Sequence, residues 1–491
     1  MTLLLLACAS APEDSAPSLE ALAPPRLLRR LSLDLRGRFP SVEELDAVEA
    51  DPSVLEDYRL AWLAGPELED QLVLRLAERW YTRVDRFDIE AADYGLYDTY
   101  GFARSVGEEP LRLLARVATS DASWDEVVTA DHSLADERLA GIWPLDREPG
   151  EGWTVARYTD GRPHAGVLTS NGLWWRYTTD ISNMNRRRVA AVERLLVCHE
   201  VLDRPVSFEG RDVSASVEDA VHDDPACVAC HSSLDPAAAS LFGFWTVVDY
   251  SAIEAGHYHP ERERLGEDYL EVEAAWHGQP ISGLEDLGQA VAADPRFGPC
   301  AVRTFAELSW RRPVDPLGDA ARLAQLLEAF EAGDRRVQVL LEALTATPEY
   351  RSAERLEPLP PDLLASAWGD LTGFEWTLAN VPLMDEDPLG LRVLAGGVDG
   401  ERSTSPQREP GLTRTLVLEQ LAERSATHAM DQGAELDLER LYWRLIAERP
   451  EVSDVDPYRL VLESLSTGET ADEAQAATLA AMLRDPLAVT W

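Results

Sequence analysis

Lysine is absent from this 491-residue chain, so all 45 of its basic residues are arginines. That excludes Schiff-base chemistry on a lysine and the phosphate-binding lysine of a P-loop. Basic residues are also outnumbered by 88 acidic ones, which leaves a formal charge of −43. Such a surface repels a polyanion and offers few cations to hold one, so the balance argues against nucleic acid and favours cationic partners, an acid-rich, arginine-using proteome being the plainer source of the same bias. The chain has no G-x-G-x-x-G, H-E-x-x-H or G-x-S-x-G constellation, which removes the commonest dinucleotide, zinc-protease and serine-hydrolase signatures. Carboxylate pairs occur throughout so acidic a chain and identify nothing. The run Asp385-Glu386-Asp387-Pro388-Leu389-Gly390 starts like a calcium loop, but Leu389 and Gly396 stand where ligands are required, so it reads as a turn.

Cysteine is scarce, with Cys8, Cys198, Cys227, Cys230 and Cys300 making the whole set. Two of the five fall in Cys227-Val228-Ala229-Cys230-His231, the C-x-x-C-H spacing of covalent c-type haem attachment. Two thiols at that spacing reach the two vinyl groups of one haem, and the histidine that follows lies under the iron as proximal ligand. A zinc half-site or a redox dithiol shares the C-x-x-C. A second C-x-x-C is missing, which counts against zinc, and no βαβ pattern surrounds the motif, which counts against a thioredoxin-like role. Haem c is therefore the expected cofactor, held by Cys227, Cys230 and His231.

The distal ligand is open in the sequence. No methionine lies between His231 and Met384. Met184, just before Arg186-Arg187-Arg188, is the favoured candidate, and His164, His257, His259 and His277 are alternatives. A five-coordinate iron points instead to catalysis. The three arginines are either partners for haem propionates or a solvated helix start, and Trp174 and Trp175 either line the haem pocket or fill the core.

The N-terminus supplies a compartment. Leu5-Leu6-Ala7-Cys8 looks like a lipobox, with residues 1–8 a lipoprotein signal ending at a lipidated Cys8 and residues 9–24 a Pro/Ala/Glu/Ser tether. The apolar run is far too short to span a bilayer. The expected location is the periplasm or cell surface, anchored by lipid alone, with the outer membrane favoured. In an oxidising compartment the leftover pair, Cys198 and Cys300, invites a disulfide, two buried thiols being the alternative.

The rest of the chain reads as helix. A chain of this length exceeds a single core, and composition divides it into an N-terminal helical domain (25–146), a haem-bearing domain (147–353) and a C-terminal helical domain (354–491). Pro40 is expected to stop one helix and Ser41 with Glu44 to cap the next. Helices are predicted over 111–118, 124–130, 189–202, 301–310, 363–371, 412–430, 438–448 and 471–483. Glu148 to Gly152 and Asp160 to Pro163 read as turns. A weak helix–Arg/Pro–helix repeat recurs at 31–48, 308–330 and 441–465.

Several stretches resemble the exported cytochrome c-associated domain proteins of planctomycete and myxobacterial type: Arg29 to Leu35 with Pro40 and Glu43-Glu44, Ala165 to Thr169, Asn185 to Arg188, Cys227 to Pro236 with Phe242-Gly243-Phe244, and 308–350. The chain departs from that pattern in lacking an acidic-aromatic run after Phe244. The resemblance implies haem and export, with no established reaction. The expectation is a mainly α, multidomain helical protein with a central cytochrome c-like haem region. Its expected role is electron transfer to a redox partner that is cationic or another exported companion. The alternatives are a haem enzyme acting on peroxide or an extracellular small molecule, and a surface binding or scaffold protein with a structural haem.

Overall fold

In a computed structural model of the chain, α1 (Pro24–Arg36) is the helix around which the others are arranged. The structure describes residues 19–203, 221, 224–246, 251–353, 357–407, 409 and 411–491. Cys8 and most of the tether lie outside those residues. Pro24 and Pro25 open α1, their fixed φ suiting the first turn. Gly37 ends it in the left-handed conformation at φ +69°, so the stop comes three residues before Pro40. Leu27, Leu28, Leu31 and Leu35 recur at helical spacing and enter the main core. Leu33 faces the other way, into the core of the C-terminal segment, where Phe39 joins it. One helix thus serves two cores.

The segment leading into α1 is held rather than loose. Leu22 donates its N–H to the Arg351 carbonyl at 2.8 Å, and Ala353 donates to Glu20 at 2.7 Å. Beyond α1, the Ser41 hydroxyl accepts from Glu44 N–H at 3.1 Å while Glu44 accepts from Ser41 N–H at 2.8 Å. This is the reciprocal cap that the spacing predicts for α2 (Val42–Ala50). Then come α3 (Val54–Leu63), α4 (Glu67–Trp80) and the 21-residue α5 (Thr99–Thr119), and α4 and α5 pack on each other.

The fold is mainly α, as the periodicity predicts. Its largest sheet has three short antiparallel strands in the order β1 (Ser133–Ala135), β3 (Thr154–Tyr158), β2 (Leu145–Arg147). Ser133 pairs with Ala156 and Leu145 with Tyr158. Strands of three to five residues are too short to show an alternation, so this stretch reads as turns. The main core runs from Leu27 to Tyr350 and also takes in Trp443 and Ala447, while the C-terminal core is built around Trp368, Leu421, Ile446, Leu483 and Trp491. Among the described residues no helix is long and apolar enough to cross a membrane.

Candidate functional site

The C-x-x-C-H motif opens the helix Pro225–Ala239. Asp224 caps it, accepting from Ala226 N–H at 2.9 Å, and Pro225 occupies the first turn. In a helix, residues three and four apart share a face. Cys227 and Cys230 are three apart and Cys227 and His231 four apart, so the two thiols and the imidazole line one strip. All three side chains are half-buried, whereas Leu234, Asp235 and Ala237 to Ala239 further along are buried. The motif therefore sits at the rim of the core.

Asp235, one turn on, orients the histidine. Its carboxylate lies 3.0 and 3.2 Å from His231 Nδ1. Arg186, from the neighbouring helix Arg186–Leu196, grips the same carboxylate with two bonds of 2.6 and 3.0 Å. Burial pushes the Asp235 pKa up, but the hydrogen bonds from His231 and Arg186 outweigh it and hold the group below its usual value. An ionised carboxylate only accepts, so Nδ1 carries the proton, and a neutral ring so held has its lone pair on Nε2. That is the second-shell arrangement that fixes the tautomer of a metal-ligating histidine. Two thiols and an oriented imidazole on one helical face fit a covalently attached haem.

Cys198 and Cys300 are joined, with Cα atoms 5.3 Å apart across a sequence separation of 102. The bridge links the chain just past Arg186–Leu196 to the helix Phe297–Trp310, so the loop it closes contains the motif helix. Cys227 and Cys230 are not part of it.

The distal candidates fall in different places. Met184 sits in a left-handed turn (φ +47°) ahead of Asn185 (φ +65°) and packs on the main core, as does Cys230. Met384 is buried in a separate small cluster with Ala395 and Val417. His164 is exposed, His257 is half-buried, and His259 bonds the Glu254 carbonyl through Nε2 at 3.1 Å. His277 stands 3.5 Å from Glu193, whose other carboxylate oxygen bonds His199 Nδ1. Glu193 is seven residues after Arg186 and so lies on the same helix face. The motif helix packs against both that helix and the strand Ala275–Trp276 that leads into His277. Glu193 and His199 are not among the residues the spacing singles out, although the seven-residue step from Arg186 marks Glu193; His199 lies beyond the helix and carries no such signal. Among the described residues no three His, Cys, Asp or Glu side chains are grouped to hold a metal ion by themselves.

One reading changes and one default holds. The arginine run is not a solvated helix start. Arg188 is buried, donating to the Tyr177 carbonyl at 3.1 Å and the Phe244 carbonyl at 3.2 Å, and only Arg187 is exposed. Trp174 and Trp175 are core. Trp174 packs at 5.8 Å from Phe244, and Trp175 at 5.3 Å from Trp143.

No protein-family model, curated protein or solved structure matches this chain.

Proposed function

We propose that the protein carries one covalent haem c on Cys227, Cys230 and His231 and transfers electrons at the cell envelope. The observation that carries this is the strip of two thiols and an imidazole whose Nδ1 is bonded to Asp235, itself clamped by Arg186. When bound, the haem supplies a one-electron iron couple. Each thiol attaches by adding its S–H across a vinyl C=C, the sulfur bonding one carbon and the hydrogen the other, so no oxidant is consumed. The Asp235–Arg186 pair keeps the imidazole in the tautomer that offers Nε2, and the half-buried rim gives the strip access to solvent on one side.

A lipid anchor at Cys8 belongs to the same proposal, as does membership of the exported cytochrome c-associated proteins, since both place the chain where haem is attached and disulfides persist. Met184, on the core that Cys230 also touches, is the proposed distal ligand.

The test is a visible spectrum, oxidised and reduced, of the full chain made with haem-maturation machinery. The expected result is a low-spin c-type spectrum that survives denaturation and is lost when Cys227 and Cys230 are replaced by alanine. Absence of covalent haem in the wild-type protein would sink the proposal. Carbon monoxide binding to the reduced form would move the role from electron transfer to catalysis.

A further inference from the structure

A small cavity of about 100 Å³, lined by no residue of the motif helix, lies where α4, the end of the helix Phe297–Trp310 and the C-terminal segment meet, and five arginines line it: Arg75, Arg83, Arg311, Arg392 and Arg414. In a chain of net charge −43 that is an unusual concentration of positive charge. Four of the five have acidic partners. Arg75 and Arg311 share Asp34, Arg83 meets Asp385, and Arg392 reaches Asp85 at 3.0 Å.

Arg414 is different. It is only 7% exposed, and its bonds go to two carbonyl oxygens, Ala395 at 2.7 Å and Leu359 at 2.8 Å. Those two bonds use two of a guanidinium's five N–H donors. A buried cation without a counter-charge is costly, and burial alone depresses its pKa. Arg392 beside it is 4% exposed, and its Nε–H has no acceptor.

The backbone is shaped to the same purpose. Gly396 and Gly397 line the cavity, and a Cβ on Gly397 would stand 2.7 Å from the Arg392 side chain. A Cβ on Gly396 would stand 3.4 Å from the Arg414 guanidinium and 3.0 Å from the Gln407 carbonyl. The helix Pro361–Thr372 also starts at the cavity wall, adding the positive end of its dipole. Of the acidic side chains on the lining, Asp362 faces Arg392 electrostatically but not Arg414, whose burial has no charged group set against it. Glu307 is held by Arg79 and Arg303 at 3.0 Å each, Asp362 accepts from Leu363 N–H at 3.0 Å, and Glu78 has a partner of its own. The volume is several times what one water needs and well below that of a drug-sized ligand.

We propose that this cavity is a binding site for a phosphate-sized oxyanion, held by Arg414 and Arg392. The anion supplies the counter-charge that Arg414 lacks, with Arg392 beside it on the lining. None of Cys227, Cys230 and His231 lines the cavity.

Calorimetric titration of the full chain with inorganic phosphate, at ionic strength held constant with chloride, tests it. Saturable 1:1 binding is expected, weakened at least about tenfold in Arg414→Gln and Arg392→Gln. Val398, half-buried on the lining, allows a second variant. Val398→Phe fills the space while leaving both arginines, and it decides the matter if an arginine variant does not fold. A parallel titration with glycerol phosphate separates sources: binding equal to that of phosphate assigns the site to a phosphate ester, and exclusion assigns it to the free anion. No saturable heat, or phosphate affinity unchanged in Val398→Phe, overturns the proposal.

Discussion

Asp235 accepts the Nδ1 proton of His231 at 3.0 Å from one helical turn further along the same helix. The spacing of four residues makes the contact local, but its strength depends on Arg186, 49 positions earlier in the chain. With its carboxylate clamped on one side by Arg186, Asp235 is held in place and its pKa stays below the usual value. The imidazole is oriented before any ligand arrives.

Replacing Asp235 by asparagine weakens that bond without changing its shape. In the haem-loaded protein the imidazole then loses electron density, and the reduction potential rises. For a one-electron couple about 1.4 kcal/mol corresponds to roughly 60 mV, which bounds the effect of one charge-assisted hydrogen bond. Redox titration of wild type and Asp235→Asn measures it. Equal potentials would show that Asp235 does not tune the ligand.

The Cys198–Cys300 bridge closes a loop of 102 residues' separation. In the chain-entropy account, a loop of that length contributes about 4–5 kcal/mol by restricting the unfolded chain. A double Cys198→Ser, Cys300→Ser variant is expected to lose stability of that order in urea denaturation. A wild-type midpoint in the variant would mean the bond does not form in solution.

Two neighbouring glutamates on α5 titrate in opposite directions. Glu109 is fully buried against Gly172 N–H and the Tyr158 hydroxyl, and desolvation outweighs those bonds, raising its pKa to about 7. Glu108 is equally buried, but Arg104, Arg83 and Arg112 overcome the desolvation and hold it at about 2. The raised group makes the folded state bind the extra proton. Stability is therefore full below the unfolded pKa near 4.5 and falls as pH rises to about 7, by on the order of 3 kcal/mol. Glu108 works the other way, losing its contribution below pH 4.5. Glu109→Gln is expected to be more stable than wild type at pH 8 and to lack the decline between pH 5 and 7. Parallel pH profiles for the two proteins would refute this.

Arg29 shows why lysine does not substitute here. It is fully buried, its pKa is pushed down to about 9 by burial and by Arg26 and Arg30, and it donates to the carbonyls of Leu445, Leu487, Ala488 and Thr490. A planar fork spans four acceptors on two strips of backbone, which a compact ammonium cannot do. Arg29→Lys is expected to cost about 2–4 kcal/mol and to make residues 486–491 sensitive to protease. A variant with the wild-type melting temperature and proteolysis pattern would contradict this.

Much of the helical framework is legible in the sequence. The predicted 412–430 appears as Leu412–Asp431, whose buried Val417, Leu418, Leu421, Ala422, Ala426 and Ala429 recur at helical spacing, and 471–483 appears as Ala471–Leu483, an alanine-rich run behind a Thr470–Glu473 cap. Predicted 111–118 is the C-terminal part of Thr99–Thr119, whose first turns carry Gly101, Gly107 and Pro110 and so read as non-helical. The motif helix Pro225–Ala239 was not predicted, since its apolar residues are mostly alanines and leave little periodic signal.

The helical class, the Ser41–Glu44 cap and the thiol–imidazole spacing of Cys227 to His231 follow from local sequence, because each rests on residues within about one or two turns. The sequence also carried the cysteine count that leaves Cys198 and Cys300 over. Tertiary structure alone decided that Arg186 clamps Asp235, that Arg188 is buried, that α1 serves two cores, and that Arg414 and Arg392 converge on one cavity. Those relations join residues tens to hundreds of positions apart. No local period encodes them, and burial rather than residue type determines the state of each charge.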